Sequence, residues 1–173
     1  TGAEANSGDG AGILLQVPHK FLKRVTQDAG IALPGAREYG VGMFYLPPDA
    51  AERRACERLV EQLVAEEGQT VLGWRDLPTD NSSLGETARA SEPFMRQLFV
   101  GRDPRLADEM AFERKLYVIR KRAENAIRYS GNFASGHFFY VSSLSCKTCI
   151  YKGMLMPAQV DRYFLDLTHP SME

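Results

Sequence analysis

Glycines cluster near the start of the chain, directly before its first apolar segment. Gly8, Gly10 and Gly12 fall within five residues, and residues 13–17, all apolar except Gln16, follow them. Glycine reaches backbone conformations that side chains forbid and lets another segment approach closely. A short apolar run of this kind predicts a buried strand. Pro18 then ends the strand and suits the first turn of a helix. The segment therefore predicts a glycine-rich turn, a strand and a helix, in that order.

The position of these glycines argues against a nucleotide site. A phosphate-binding P-loop needs Gly-Lys-Ser or Gly-Lys-Thr after its spacing, and the dinucleotide-binding turn places its glycines after a strand. Here the glycines come before the strand and no such lysine follows them. The sequence gives little support to a nucleotide-binding function.

Composition limits the class of protein without identifying it. The chain has 173 residues, 44% hydrophobic and 25% charged, which suits one sizeable core and not two comfortable domains. A net charge of -1 gives no electrostatic reason to expect nucleic acid or an anionic membrane as partner. No apolar run approaches the ~20 residues that span a bilayer. Three cysteines, an odd number, favour a reducing compartment. We therefore expect a cytoplasmic location.

Apolar segments alternate with helix- and strand-ending residues along the whole chain. Residues 39–46 alternate as a strand that Pro47 and Pro48 end, and Asp49 is placed to cap a long helix that closes at Gly68. The same reasoning predicts helices at 18–29 and 157–164, and strands at 70–76, 94–100, 138–143 and 148–152, the last two as a closing pair. The sum is an α/β fold with a mixed sheet.

Two segments are harder to assign. Ser83 and Glu86 have the spacing of a capping box for a short helix, which Glu92-Pro93 would end. Residues 116–119 are rich in β-branched and aromatic side chains, which favours a strand. Residues 120–129 directly beyond them have a helical pattern, so the boundary between the two is uncertain by several residues.

The cysteines invite a metal interpretation, which the sequence does not favour. Cys146 and Cys149 form one CxxC, but no second pair follows at ligand spacing. On a strand, residues three apart point to opposite faces, so their sulfurs would not share an ion. We expect no metal site, and we place Cys56 on the apolar face of its helix.

Other titratable residues are scattered. His19, His137 and His169 have no cysteine or serine beside them in a catalytic pattern, so we expect surface or capping roles. For Glu52, Glu57, Glu66 and Glu67 the default is a solvated helix surface. The basic run Arg120-Lys121-Arg122 is short, and acidic Glu113 and Glu124 lie nearby, which favours surface ion pairs over nucleic-acid binding.

Several blocks, taken together, resemble the amidotransferase domain of glutamate synthase large subunits. The resemblance covers almost the whole chain, and the blocks occur in the order of that family. They are residues 6–21, Arg37-Glu38-Tyr39-Gly40-Val41-Gly42-Met43, Val71-Leu72-Gly73-Trp74-Arg75, Phe112-Glu113-Arg114-Lys115-Leu116-Tyr117, Tyr151-Lys152-Gly153-Met154-Leu155 and the ending 159–167.

The resemblance implies a class II glutamine amidotransferase with the N-terminal-nucleophile hydrolase fold, a four-layer αββα sandwich. Such a domain hydrolyses glutamine to glutamate and ammonia, and the ammonia passes to a synthase domain that makes glutamate from 2-oxoglutarate. The implied cofactors of the parent protein are FMN and an iron–sulfur cluster, with none in this segment. The implied partners are the remainder of the synthase chain and glutamine as substrate.

The resemblance also implies that the catalytic groups lie outside these residues. The nucleophile of the family is an N-terminal cysteine whose own α-amino group acts as base. It is expected upstream of Thr1, and an arginine segment and an Asn-Gly oxyanion pair are expected downstream of Glu173. Residues 1–173 are thus expected to form a single partial domain, inactive alone. A terminal threonine can be a nucleophile in this fold class, but Thr1 resembles the run-in to the glycine motif, and we favour that interpretation.

Gly8, Asp9 and Gly10 remain as candidate site residues beside the missing nucleophile. Asp9 can instead bond its own turn, which is the favoured interpretation. Two alternatives to an enzyme segment stay open: a non-catalytic module that binds glutamine or a partner, and one chain of a split enzyme. Loss of neighbouring strands would expose apolar faces and strand edges, so self-association or marginal stability is expected.

Overall fold

The computed structural model describes residues 8–172, which form six strands and five α-helices. The strands are β1 (Ala11–Gln16), β2 (Tyr39–Leu46), β3 (Thr70–Asp76), β4 (Phe94–Gly101), β5 (Tyr140–Ser145) and β6 (Thr148–Gly153). The helices are α1 (His19–Asp28), α2 (Ala50–Glu66), α3 (Glu86–Ala90), α4 (Glu109–Ile127) and α5 (Val160–Tyr163). Short 3-10 turns cover Gly136–Phe138, Pro157–Gln159, Leu165–Thr168 and Pro170–Met172.

The strands form two sheets, and every strand pair within residues 8–172 is antiparallel. One sheet has the order β3-β4-β2-β5, and the other contains β1 and β6. The prediction of an α/β fold is confirmed, but the prediction of a mixed sheet was wrong. Two neighbouring parallel strands need a crossover connection, usually a helix, between them. The helices of this fold make no such connection within residues 8–172.

Alternate residues of β2 separate the two halves of the core. Val41, Met43 and Tyr45 face the two-stranded sheet, while Phe44 and Leu46 face α2 and α4. The four-stranded sheet is therefore covered by helices on one face and by β1 and β6 on the other. Burial on both faces explains why every residue of β2 is buried.

The segment at 116–119 is helical, so the preference for a strand there was wrong. Helix α4 runs through it, and Asp108 caps its first turn by accepting a hydrogen bond from the Ala111 amide at 2.7 Å. The buried side chains recur at helical spacing: Phe112, Leu116, Ile119, Ala123 and Ile127. This apolar stripe against the sheet overrides the local β propensity of the segment.

Strands β5 and β6 are consecutive but do not pair with each other, so the predicted closing pair was wrong. β5 pairs with β2 and β6 pairs with β1. The chain thus crosses from one sheet to the other at the turn between them. Side chains link the two strands instead, because Ser142 Oγ donates to the Ile150 carbonyl at 2.9 Å and the Ile150 amide donates to Ser143 Oγ at 3.0 Å.

The helix ends are partly as predicted. Asp49 Oδ1 accepts from the amides of Ala51 and Glu52 at 3.1 and 2.8 Å, so it caps α2. The capping box at Ser83 was wrong, since α3 begins at Glu86, Gly85 precedes it and no side chain caps it. None of the helices in residues 8–172 is long and apolar enough to cross a membrane.

Candidate active-site cavity

A cavity of about 910 Å³ opens beside the glycine-rich segment. Its walls come from the start of β1, the end of β6, Tyr45 of β2 and the region around α3. Apolar side chains such as Met95 and Leu155 share the lining with several polar groups. These groups belong to Asp9, Tyr45, Ser91, Glu92, Arg128, His137, Tyr140, Lys152 and Tyr163. An apolar hollow with a few polar groups is a typical binding site.

Close backbone packing explains the glycines at this wall. A Cβ on Gly8 would overlap the carbonyl of Leu155 and the amide of Met156. A Cβ on Gly12 would lie 2.5 Å from both the Tyr151 carbonyl oxygen and Lys152 Cβ. Gly10 adopts a φ of 134°, which side chains rarely allow. The glycine segment is therefore held tightly against the end of β6.

The structure brings Asp9 and Gly10 to the cavity, while Gly8 is buried behind it. Asp9 is exposed, and its carboxylate makes no hydrogen bond within residues 8–172. A role for these three residues in glutamine hydrolysis stays a prediction.

Several polar groups of the cavity hold one another in place. Lys152 Nζ donates to the Tyr140 hydroxyl at 2.6 Å and lies 4.5 Å from the centre of that ring. Tyr45 donates to the Lys152 carbonyl at 2.5 Å. Burial raises the pKa of Tyr45 to about 12, so the phenol remains a donor at neutral pH.

The opposite wall is held by a second set of contacts. Tyr163 donates to Glu92 Oε1 at 2.6 Å, and burial and this carboxylate raise the pKa of the phenol. Arg128 donates to the carbonyls of His137 and Phe139 at 2.7 and 2.9 Å. These groups rigidify the cavity, but none is a nucleophile paired with a base.

The three thiols are unsuited to nucleophilic chemistry. Cys56, Cys146 and Cys149 are all buried, and burial raises the pKa of each to about 12. A thiolate is the reactive form of cysteine, and at neutral pH these groups are almost wholly protonated. None of them lines the cavity beside the glycine segment. A thiol nucleophile for this cavity therefore has to come from other residues.

The CxxC cysteines point to different parts of the core, as predicted, but the reason given was wrong, since Cys146 lies in the turn between β5 and β6 and only Cys149 lies on a strand. Cys146 packs on the helix side of the large sheet, and Cys149 packs between the two sheets. Within residues 8–172, no group of three or more histidine, cysteine or carboxylate side chains is arranged to hold a metal ion. The prediction for Cys56 is confirmed, since it is fully buried on the apolar face of α2.

The raised thiol pKa values predict slow alkylation of the native protein. A rise from the ordinary value of 9.0 to about 12 lowers the thiolate population about a thousandfold. We expect iodoacetamide at pH 7.5 to leave all three thiols largely unmodified, and to modify them rapidly in urea. Mass spectrometry of intact protein measures both. Rapid modification of folded protein at any of the three would contradict the burial described here.

Two of the three histidines occupy the predicted kinds of position, while the prediction was wrong for His19, which is half-buried against Tyr39. His169 Nδ1 accepts from the Ser171 amide at 3.1 Å, which is a capping contact. His19 Nδ1 lies 3.1 Å from the Tyr39 hydroxyl in a half-buried position, and His137 is exposed at the cavity rim.

The prediction for the carboxylates was wrong at Glu57. Glu57 is buried and pairs with Arg96 of β4 at 2.8 Å, because α2 packs this side of its surface against the large sheet. Glu66 is exposed, as predicted, while Glu52 and Glu67 are half-buried. Glu52 accepts from the Ser135 amide at 2.8 Å.

The basic run forms ion pairs, as predicted. Arg120 and Lys121 pair with Glu124, and Arg122 pairs with Glu66 and with Glu67. Glu113 is engaged elsewhere, since its carboxylate accepts from Ser145 Oγ at 2.9 Å and from the Cys146 amide at 2.6 Å.

One buried charged network was not predicted. Arg75 donates to Asp166 Oδ1 and Oδ2 at 2.7 and 2.8 Å, and its side chain also donates to Gln97 Oε1 at 2.7 Å. Tyr151 donates to Asp166 Oδ2 at 3.0 Å, and Gln97 Nε2 donates to the Tyr151 hydroxyl at 3.1 Å. The partners are far apart in sequence, so no local pattern could have revealed the network.

Comparison with known proteins places this arrangement in a family. The chain belongs to the class-II glutamine amidotransferases, because the model of that family matches residues 1–173. Its relatives include the large chain of the NADPH-type glutamate synthase of Bacillus subtilis, 43% identical over 166 residues, and the NADH-type glutamate synthase of Schizosaccharomyces pombe, 36% identical over 174 residues. Ferredoxin-dependent glutamate synthase 2 of Synechocystis is 33% identical over 169 residues.

The matches cover almost all of this chain and a small part of each relative. They span 96%, 98% and 97% of the chain but only 10%, 8% and 10% of the three relatives. The chain therefore has about a tenth of the length of these glutamate synthases. The two antiparallel sheets with their helices are consistent with the N-terminal-nucleophile hydrolase fold implied by the sequence.

Proposed function

We propose that this chain is the central part of the glutaminase domain of a glutamate synthase. The observation that supports it most directly is the family match over residues 1–173, together with the three relatives above, each named a glutamate synthase. The proposed parent reaction converts glutamine and 2-oxoglutarate into two molecules of glutamate. The relatives use NADPH, NADH or ferredoxin by name, so the similarity does not select an electron donor.

In the proposed glutaminase step, a thiolate attacks the side-chain amide of glutamine and forms a tetrahedral intermediate. The α-amino group that took the thiol proton gives it to the amide nitrogen, so collapse of the intermediate releases ammonia and leaves a thioester, which water hydrolyses to glutamate and the free thiol. The developing oxyanion needs hydrogen-bond donors. We place the nucleophilic cysteine upstream of Thr1, and the arginine and Asn-Gly groups downstream of Glu173. The high pKa values of the three thiols support an external nucleophile.

The role proposed for residues 8–172 is to build one wall of the site. The backbone of the glycine segment packs closely against the backbone at the end of β6. The cavity beside it is lined by apolar side chains and by polar groups that hydrogen bonds hold in place. The flavin and iron–sulfur cofactors are proposed to belong to the synthase domain, which would receive the ammonia. The buried reduced thiols suit the cytoplasm, which we propose as the location.

Ammonia release from glutamine tests this function. The chain alone is expected to release none above background, whereas the full-length polypeptide that contains it is expected to turn over glutamine. The two alternatives give different results. A non-catalytic module would be inactive in both forms, and a split enzyme would gain activity when separate chains are mixed. Turnover by the isolated chain would contradict the proposal.

Asp9 offers a specific prediction within this function. Its carboxylate is exposed at the cavity and has no hydrogen-bond partner within residues 8–172. We expect Asp9→Ala in the full-length enzyme to lower glutaminase kcat several-fold and to leave the melting temperature nearly unchanged. Asp161→Ala, an exposed carboxylate on α5, is the matched control. An unchanged rate with a lowered melting temperature would assign Asp9 a turn-stabilising role.

Self-association of the isolated chain is a further expectation. The prediction of a buried first strand was wrong, since Leu14 and Ile13 of β1 are 62% and 40% exposed. Among the described strands β1 pairs only with β6. An exposed apolar strand edge invites pairing with a second chain. We expect concentration-dependent association in sedimentation velocity, and we expect Leu14→Lys to weaken it. A monodisperse and highly stable monomer would contradict this expectation.

A further inference from the structure

The buried network around Arg75 connects three parts of the molecule. Arg75 and Gln97 come from β3 and β4 of the large sheet, Tyr151 from β6 of the small sheet, and Asp166 from the 3-10 turn Leu165–Thr168. The side chains of Arg75 and Asp166 are only 9% and 2% exposed. The network therefore fixes the distance between the sheets and the position of the turn with directional bonds.

A short chain of contacts leads from this network to the cavity wall. Tyr151 lies opposite Ile13 in the pairing of β6 with β1, and its carbonyl oxygen is in close contact with Gly12. A few residues further on, Leu155 and Met156 lie against Gly8. A shift of Tyr151 would therefore move the glycine segment. Because this packing is backbone on backbone, no side-chain rotation could absorb the shift.

Stability alone does not explain the choice of charged residues here. Desolvation of two charges offsets much of their attraction, and a well-packed apolar pair in such a place is often as stable. What the pair provides is geometry, because a bidentate arginine–carboxylate contact fixes both distance and orientation.

We propose that the Arg75–Asp166 pair is a positioning device that sets the placement of the glycine segment at the cavity. The glutaminase reaction depends on this placement, although neither residue touches glutamine. The catalytic part of this inference rests on the proposed function. The structural part, which is the placement of β1, does not depend on that function.

The test uses R75M/D166L in the full-length polypeptide, with wild type beside it. The double variant replaces the pair by apolar side chains, so its melting temperature is expected to stay within a few degrees of wild type. Glutaminase kcat is expected to fall by at least about tenfold, since small misplacements of reacting groups have effects of this size. Hydrogen exchange of residues 11–16 is expected to accelerate, while exchange in α2 stays unchanged. Unchanged kcat and unchanged exchange at a retained melting temperature would overturn the proposal.

A second variant covers the case in which the double variant does not fold. R75K keeps the charge but loses the bidentate geometry, so it is expected to fold and to show the same loss of kcat and the same faster exchange at β1. R105K, at the Arg105–Asp103 pair whose arginine side chain is 85% exposed, is the matched control and is expected to behave as wild type. Wild-type kcat and exchange in R75K would overturn the positioning role. A wild-type protein that releases no ammonia would refute the proposed function, and hydrogen exchange would then decide the positioning role.

Discussion

Gly12→Ala is expected to destabilise the protein by about 3 kcal/mol, because the added methyl group meets backbone on the neighbouring strand. The new Cβ would lie 2.5 Å from the Tyr151 carbonyl oxygen and 2.9 Å from Lys152 Cα. Neither atom can move without shifting β6, which is paired with β1 and packs against the large sheet. The substitution is therefore expected to separate the start of β1 from β6 and to open the cavity wall.

Urea unfolding monitored by circular dichroism measures this loss. Gly30→Ala is the control, since a Cβ there meets nothing within 4 Å and only the φ of 72° is strained. Its expected cost is about 1 kcal/mol, the usual strain of an alanine in the left-handed region. Equal effects of the two substitutions would show that the contact at Gly12 yields easily, contrary to the tight packing described here.

Arg75→Met is expected to cost about 3–5 kcal/mol, because it leaves the Asp166 carboxylate buried without its counter-charge. Asp166 would keep the donated bond from Tyr151, at 3.0 Å, but lose both bonds from the guanidinium. The ring of Phe21 lies 5.9 Å from that guanidinium, so the packing of α1 would also be affected. This is a large effect for a single substitution that creates little empty volume.

Arg105→Met provides the comparison, because Arg105 also forms a close pair with a carboxylate. Its distance to Asp103 is 2.8 Å, but its side chain is 85% exposed. A pair with so exposed a partner contributes little to stability, because solvent screens it. Chemical unfolding of the two variants separates a buried from an exposed ion pair. A cost for Arg75→Met similar to that for Arg105→Met would mean that water reaches Asp166.

The segments predicted best are those whose ends are marked in the sequence. The bounds of β2 match the prediction, since prolines follow its last residue. β3 also matches, with Gly68 closing the preceding helix. Such positions are decided by local backbone chemistry, which a single sequence shows directly.

The errors arose where distant contacts decide the structure. Residues 116–119 have strand-forming side chains, but the stripe from Phe112 to Ile127 packs them as a helix on the sheet. Strands β5 and β6 have the spacing of a hairpin, yet each completes a different sheet. Tertiary packing outweighs propensity at both places.

The candidate site was predictable only in part. The glycines indicated close backbone approach, and the structure identifies the partners as Leu155 and the end of β6. The network of Arg75, Gln97, Tyr151 and Asp166 could not be predicted, because its members are brought together only by the stacking of the two sheets. Residues 8–172 thus explain the cavity wall, while the nucleophile is proposed to lie outside them.

Covalent labelling of the full-length polypeptide with a diazoketone analogue of glutamine tests the central claim most directly. The adduct is located by peptide mapping and mass spectrometry. We predict a single adduct, on a cysteine outside these 173 residues, and none on the buried thiols or on Thr1. An adduct on Thr1, Cys56, Cys146 or Cys149, or no adduct on the folded polypeptide, would contradict the account.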